Sequence, residues 1–265
     1  AVAAVALLAA IHQFLTRTTV PHQWRDSLRA YRFRRVKQGL REIAASPQGP
    51  RDWQPHILAF SEGEERRART LEFASRIAGG SGIVTVVQII EGEGVFEGAR
   101  AQRSEAEENL RRELEEGGFD AFPLVVAAAD LRQAAATLVQ AWGIGPVQAN
   151  TVLLNWYEGF QENSTASLWY SRLLSGVIAL ERNLVVLHSE KQAWDLAVAC
   201  PADQRRIDVW WWDDASSRLA LLLGYLMTRT ETWDQATLRL LAPATEKSEA
   251  RVRKQVEERL EDIRI

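Results

Sequence analysis

The sequence predicts an α/β protein whose mostly parallel β-sheet is flanked by helices. Three observations lead there. Several short runs, such as 83–90 (IVTVVQII), 151–156 (TVLLNW) and 183–188 (NLVVLH), are apolar along their whole length rather than at alternate positions. Such strands need cover on both faces, which is the signature of a parallel sheet. Helical segments separate these runs, and glycines stand where several of the helices must stop, as at 79–82, 117–118 and 143.

Taken in order, 56–60 (HILAF) is a first strand. The helix over 64–78 carries Leu71, Ala74 and Ala78 on one side and charges on the other. The strand at 83–90 follows, then a charged helix over 98–116, a third strand at 124–128 and a helix over 131–142. The fourth strand, 151–156, leads to an apolar helix over 165–181 that begins after Asn163 and Ser164. The fifth strand is 183–188 and the sixth 206–212 (RIDVWWW), followed by a helix over 215–228. A seventh strand at 237–241 and a charged helix over 246–263 end the pattern, with no strand beyond to show whether the sheet is complete. Crossovers between such strands are right-handed. The pattern divides into two α/β subdomains, 51–182 and 183–265, read as pseudo-repeated halves.

The composition is that of an ordinary globular chain of 265 residues, 46% hydrophobic and 25% charged, with a formal net charge of −3. That balance gives no reason to expect a nucleic-acid partner. The single cysteine, Cys200, excludes an internal disulfide and a cysteine-based zinc cluster. Charge is nonetheless uneven. Residues 16–41 hold eight basic side chains against the lone Asp26. The totals of 32 basic and 35 acidic residues therefore leave 24 and 34 elsewhere, a net of −10.

This basic stretch follows AVAAVALLAAI, which is wholly apolar over residues 1–11. The run is shorter than the ~20 residues that span a bilayer, and no charged segment precedes it as in a signal peptide. Residues 1–15 are therefore read as the end of a membrane helix. Residues 16–50 form a basic juxtamembrane helix and linker, because Arg and Lys near a helix end favour the cytosolic leaflet. Residues 24–41 read as the helix, in which Leu28, Tyr31, Val36 and Leu40 make a rough apolar stripe. Such a helix suits anionic lipid, through Arg25, Arg29, Arg32 and Arg35, but equally a protein surface, a second copy or plain solvent. The stretch 45–55, with three prolines and a glycine, is the clearest linker.

Catalytic signatures are sparse. The loop at 91–98 (EGEGVFEG) spaces its glycines almost like a dinucleotide fingerprint, but its three glutamates would repel phosphate. Asp213 and Asp214 could bind a metal or transfer protons. With Ser216 and Ser217 behind them, they read better as a helix cap. The histidines His12, His22, His56 and His188 lack metal-ligand spacing, and no nucleophile motif is present. Trp210, Trp211 and Trp212 alternate across a strand, which predicts that both its faces are covered. No enzyme activity, cofactor or metal is expected.

Three segments resemble the C-terminal domain of the cation-chloride cotransporters. Asp52-Trp53-Gln54-Pro55-His56-Ile57-Leu58-Ala59-Phe60 is similar to that family's N-W-R-P-Q-I-L-V-L. Gly143-Ile144-Gly145, followed by Ala149-Asn150-Thr151-Val152-Leu153-Leu154-Asn155, is similar to its G-L-G…P-N-T-L-V-L-G. Ile207-Asp208-Val209-Trp210-Trp211-Trp212-Asp213-Asp214, with Leu219, Leu222, Tyr225 and Leu226, resembles I-D-V-W-W-L-x-D-D-G-G-L-x-L-L-x-P-Y-L-L. Ala215-Ser216 replaces the Gly-Gly pair, and Gly224 replaces the proline. The resemblance implies a universal-stress-protein-like fold, a homodimer and a regulatory role beside the chain's own transmembrane domain. It also implies location at the cytoplasmic side of the cell membrane. By analogy with nucleotide-binding members of that broader fold, Ser61, Glu62 and Asn155 would border a ligand site beyond the first and fourth strands. A small-molecule sensor and a soluble doubly wound enzyme are the other readings.

Overall fold

The computed structural model describes residues 13, 21–46, 49, 53–61, 63–91, 98–159, 164–245 and 248–263. Residues 1–15, read above as the end of a membrane helix, lie outside them apart from Gln13. Among the described residues no helix is long and apolar enough to cross a membrane.

The basic segment is one helix, α1 (Pro21–Ala45), longer at both ends than expected. It belongs to a compact unit separate from the rest of the fold. Leu28, Tyr31, Phe33, Val36 and Ile43 are exposed on it, as are Arg29, Arg32 and Arg35. The side chain of Arg25 lies outside the described residues.

The second unit contains the α/β fold. Its first part runs β1 (His56–Phe60), α2 (Glu64–Ala78), β2 (Ile83–Glu91), α3 (Gly98–Glu116), β3 (Phe122–Ala128) and α4 (Leu131–Ala141). Between α4 and β6 lies a short two-stranded hairpin, β4 (Gly143–Ile144) and β5 (Val147–Gln148), whose residues Ile144–Val147 belong to the first unit and which sequence periodicity could not show. Then come β6 (Thr151–Asn155), α5 (Thr165–Ala179) and β7 (Asn183–Leu187). These strands form a five-stranded sheet in the order β3-β2-β1-β6-β7, and every pairing is parallel.

β1 is the centre because it can be. Ile57, Leu58 and Ala59 have no polar side chain to satisfy and are 0–1% exposed. Ile57 and Ala59 face a core with Val84, Val86, Leu153, Leu71, Ala74, Ile77, Leu110 and Leu114, under α2 and α3. Leu58 faces the other way, with Val87, Val152, Leu154, Val139, Leu173 and Val177, under α4 and α5. Each Ile, Leu or Val side chain among them contributes about 1.5–3 kcal/mol by leaving water. Helix α2 stops at Gly79, whose φ of 61° closes the last turn. A side chain there would also meet Leu226 at 3.0 Å.

The chain then continues through α6 (Lys191–Ala199), which the sequence reading missed, and a 3-10 turn at Ala202–Gln204. After these come β8 (Arg206–Trp210), α7 (Ala215–Met227), β9 (Thr237–Leu241) and α8 (Glu249–Ile263). β8 and β9 do not extend the main sheet; they make a separate parallel pair. Its inner face packs Ile207, Val209, Leu238 and Leu240 against Leu221, Val256 and Leu260. Of the three tryptophans, only Trp211 is buried, while Trp210 and Trp212 are 60% and 63% exposed. The expectation that both faces are covered is therefore wrong for this strand.

The cores meet where α7 lies on α2. Leu223, Met227 and Trp233 enter the larger core. Arg76 of α2 is 8% exposed, pairs with Glu72, and stacks its guanidinium over Trp194 at 5.2 Å and Trp233 at 5.0 Å. Trp194 Nε1 donates to the same Glu72 at 2.7 Å. This buried cation is tolerable because a carboxylate and two ring faces replace its water.

Asn150 fastens the amino ends of three strands. Its Oδ1 accepts from the His56 amide at 3.0 Å and from Thr151 Oγ1 at 2.9 Å, and its Nδ2 donates to Gln54 O at 2.8 Å. Its own amide donates to His56 O at 3.1 Å, and its carbonyl accepts from the Asn183 amide at 2.8 Å. Asn150→Ala strands the His56 amide and Gln54 carbonyl. It should lower stability by about 2–3 kcal/mol in urea unfolding, with the slope unchanged.

Candidate functional site

The connections leave β1 in one direction toward β2 and β3, and return on its other side as β6 and β7. The strand order therefore reverses between β1 and β6. Ligands in open parallel sheets bind in the crevice that this reversal opens beyond the strand ends. β1 and β6 pair with a fixed offset, Ile57 with Thr151 and Ala59 with Leu153. Continuing that offset sets Ser61 level with Asn155, so two of the three predicted residues come together at the switch point. Glu62 lies outside the described residues.

The polar atoms here are unevenly satisfied. Thr70, 1% exposed, stands on the otherwise apolar inner side of α2. Its hydroxyl lies 3.0 Å from Asn155 Oδ1 and 2.9 Å from Arg66 O, so its one proton is shared between two acceptors. Tyr170 OH donates to Asn155 O at 2.9 Å, and Tyr170 packs tilted against Tyr157 at 5.9 Å. Burial pushes the Tyr170 phenol above its ordinary value of 10.0, keeping it a neutral donor. The Asn155 carboxamide is thus held at its Oδ1 by Thr70, and the residue's main chain by Tyr170. Its buried Nδ2 nevertheless has no partner among the described residues, and neither has the buried Ser61 Oγ. Buried amide and hydroxyl groups are normally bonded, so each exception calls for an explanation; His56 Nδ1 and Trp233 Nε1, away from this crevice, are others.

Cations form the rim. Helix α2 starts beside Ser61 after Gly63, whose φ of 73° turns the chain, and no side chain caps its first amides. Within two turns it presents Arg66, Arg67 and Arg69. Arg66 pairs with Glu158 at 2.6 Å and Arg67 with Glu113 at 2.7 Å. Arg69 Nε donates to Ser189 Oγ at 3.3 Å. Lys191 pairs with Glu65 at 2.8 Å and holds that carboxyl below its ordinary range. The exposed pairs are screened by water and can exchange partners cheaply. Beyond the β2 end, Arg67 and Glu113 also line an open cleft of about 780 Å³ with Gln88 and Asn109.

Such an arrangement can bind a polar or anionic small molecule, with the helix start and arginines for charge and Ser61 and Asn155 for orientation. The groups that could do chemistry lie elsewhere. His56 is at the opposite end of β1, where burial holds its imidazole below the ordinary 6.5. His188 is exposed beyond β7, and Cys200 ends α6. Asp214 caps α7, accepting from Ser217 N at 2.7 Å and Ser217 Oγ at 2.5 Å, as its spacing foretold. These bonds hold its carboxyl below the usual range. Among the described residues, no group of three or more His, Cys, Asp or Glu side chains is placed to hold a metal ion.

Sequence reasoning missed Thr70 and Tyr170. Thr70 had a legible signal, a polar residue beside Leu71 on the apolar stripe of α2. Tyr170 had none, because its role depends on α5 folding back over the end of β6. No family model matches the chain. Because the Asn155 amide is under-bonded, Asn155→Leu should change stability by less than about 1 kcal/mol in urea unfolding. A loss above about 2 kcal/mol would instead mark Asn155 as a structural residue.

Proposed function

We propose that this chain is the cytosolic regulatory and dimerisation domain of a secondary-active cation-chloride cotransporter. Coupled Na⁺, K⁺ and Cl⁻ symport would be carried out by membrane helices belonging to the same protein, and the domain would act at the cytoplasmic side of the cell membrane. One observation carries this reading: the residues that resemble the cotransporter motifs hold structurally demanding positions. The Trp53–Phe60 stretch enters and forms the central strand. The Asn-Thr pair of the second motif is the clamp of Asn150 and Thr151. The Asp-Asp of the third is the turn and cap of α7, with Asp213 at a φ of 55°. Matching at sites with such different physical demands is harder to meet by chance than matching of apolar runs.

Helix α1 supports the reading from its composition. It carries seven of the eight clustered basic residues, and its exposed apolar side chains suit an anionic lipid surface or a second copy. Regulation requires that the domain make different contacts in two transporter states. Deleting 55–265 from the full-length protein should weaken self-association and alter flux. Unchanged assembly together with unchanged flux would refute the proposal.

A second reading is favoured by the unpartnered Ser61 Oγ and Asn155 Nδ2: the domain senses a nucleotide or similar small molecule at the switch point. Calorimetry with ATP should then give saturable heat that Asn155→Leu abolishes. No heat and no thermal shift at about 1 mM ligand would remove this reading, leaving the first intact.

A further inference from the structure

Helix α6 is held by charge more than by burial. Eight of its nine residues are exposed, none is buried, and Glu190 gives its first turn no side-chain cap. A helix this short is unstable by itself, so contacts with its neighbours must hold it. On α2 those contacts come from Glu65, Arg69, Glu72 and Arg76. Their spacing of four, three and four residues sets them in one stripe of alternating charge along α2.

The two ends of α6 are fastened differently. At the far end Arg205 donates to the carbonyls of Val198 and Cys200, both at 3.0 Å, and stacks over Trp233. Trp194 donates to Glu72 at 2.7 Å and lies against Arg76, which also stacks over Trp233. Arg76 and Trp233 are both buried, so dissolved ions screen this anchor little. At the start, Lys191 pairs with Glu65 at 2.8 Å, and their side chains are 69% and 67% exposed. Ser189 accepts a long bond from Arg69 Nε at 3.3 Å, and Arg69 lies 3.7 Å from the same Glu65. One exposed carboxylate therefore holds both cations. The Debye length falls from about 10 Å at 0.1 M salt to about 3 Å at 1 M, which reaches the span of such a pair.

We infer that residues 189–191, leading into α6, form a strap that rising ionic strength releases from α2 while the far end of the helix stays anchored. Release takes Ser189 away from Arg69 and leaves that guanidinium, at the rim of the crevice, free to turn toward an anion there. The trigger is screening of the Glu65 pairs, so the device needs neither a bound ligand nor a second chain.

Hydrogen exchange of the full chain in KCl tests this. The Trp194 amide donates to the Glu190 carbonyl at 2.9 Å and reports on the strap. The Cys200 amide donates to the Leu196 carbonyl at 3.1 Å and reports on the anchored end. Raising KCl from about 0.1 M to about 1 M should speed exchange at Trp194 about threefold relative to Cys200. Glu65→Gln should give the same acceleration at low salt and abolish the salt response. Exchange at Trp194 that ignores KCl overturns the inference. So does equal acceleration at Cys200, since the whole helix would then loosen, and so does a salt response that survives Glu65→Gln.

Discussion

Asn150 must satisfy five hydrogen-bonding groups at once, and the positions of three parallel strands follow from how it does so. Its side chain reaches β1 through the His56 amide, its carbonyl reaches the start of β7 through Asn183, and its own amide returns to His56. Parallel strands have no hairpin to fix their register, so something local must. A slip of one residue would turn Leu58 and Val152 from one core to the other. It would also separate Ser61 from Asn155. The clamp at one end of the strands therefore sets the geometry of the crevice at the other, five residues away along β6.

Core positions recur 150 residues apart, as Ile57 and Ile207 or Leu71 and Leu221 do, yet the candidate site lies in only one half. The positions facing the inner core are apolar in both copies because they face the same layer of helices. The switch-point position is different: Ser61 in the first half corresponds to Trp211 in the second, and Trp211 is 4% exposed. A buried indole fills the place where the first half keeps a hydroxyl and an under-bonded amide. The caps diverge likewise. Asp214 closes the start of α7 with its carboxylate, whereas α2 begins at Gly63 without a side-chain cap. The first half leaves its helix start open, and the second seals it.

Much of this was legible in the sequence. Continuous apolar strands between helical periods specify a parallel sheet whatever the register, and Asp214 declares its cap by residue type and spacing. Other features depend on tertiary pairing that composition does not encode. Nothing in 206–212 separates a strand of the main sheet from one of a separate pair, because inward residues look alike in both. The Trp210–Trp212 run looked covered on both faces because tryptophan is usually buried, yet two of the three are exposed. Helix α6 escaped because it buries no residue and meets the core through Trp194, against Glu72 and Arg76, so no apolar stripe announces it. Of the site, Ser61 and Asn155 could be found from strand ends, whereas Tyr170 acts through its hydroxyl on a backbone carbonyl.

The central claim is that one residue, Asn150, locks the strand register that forms the crevice, through its carboxamide and its main chain together. Native-state hydrogen exchange at the amides of His56 and Asn183 tests it most directly, since each donates to Asn150 at a strand start where fraying is ordinarily expected. The account predicts that both exchange as slowly as the mid-strand amides of Leu58 and Val152. Exchange at the rate of open strand ends, with the mid-strand amides still protected, would contradict it.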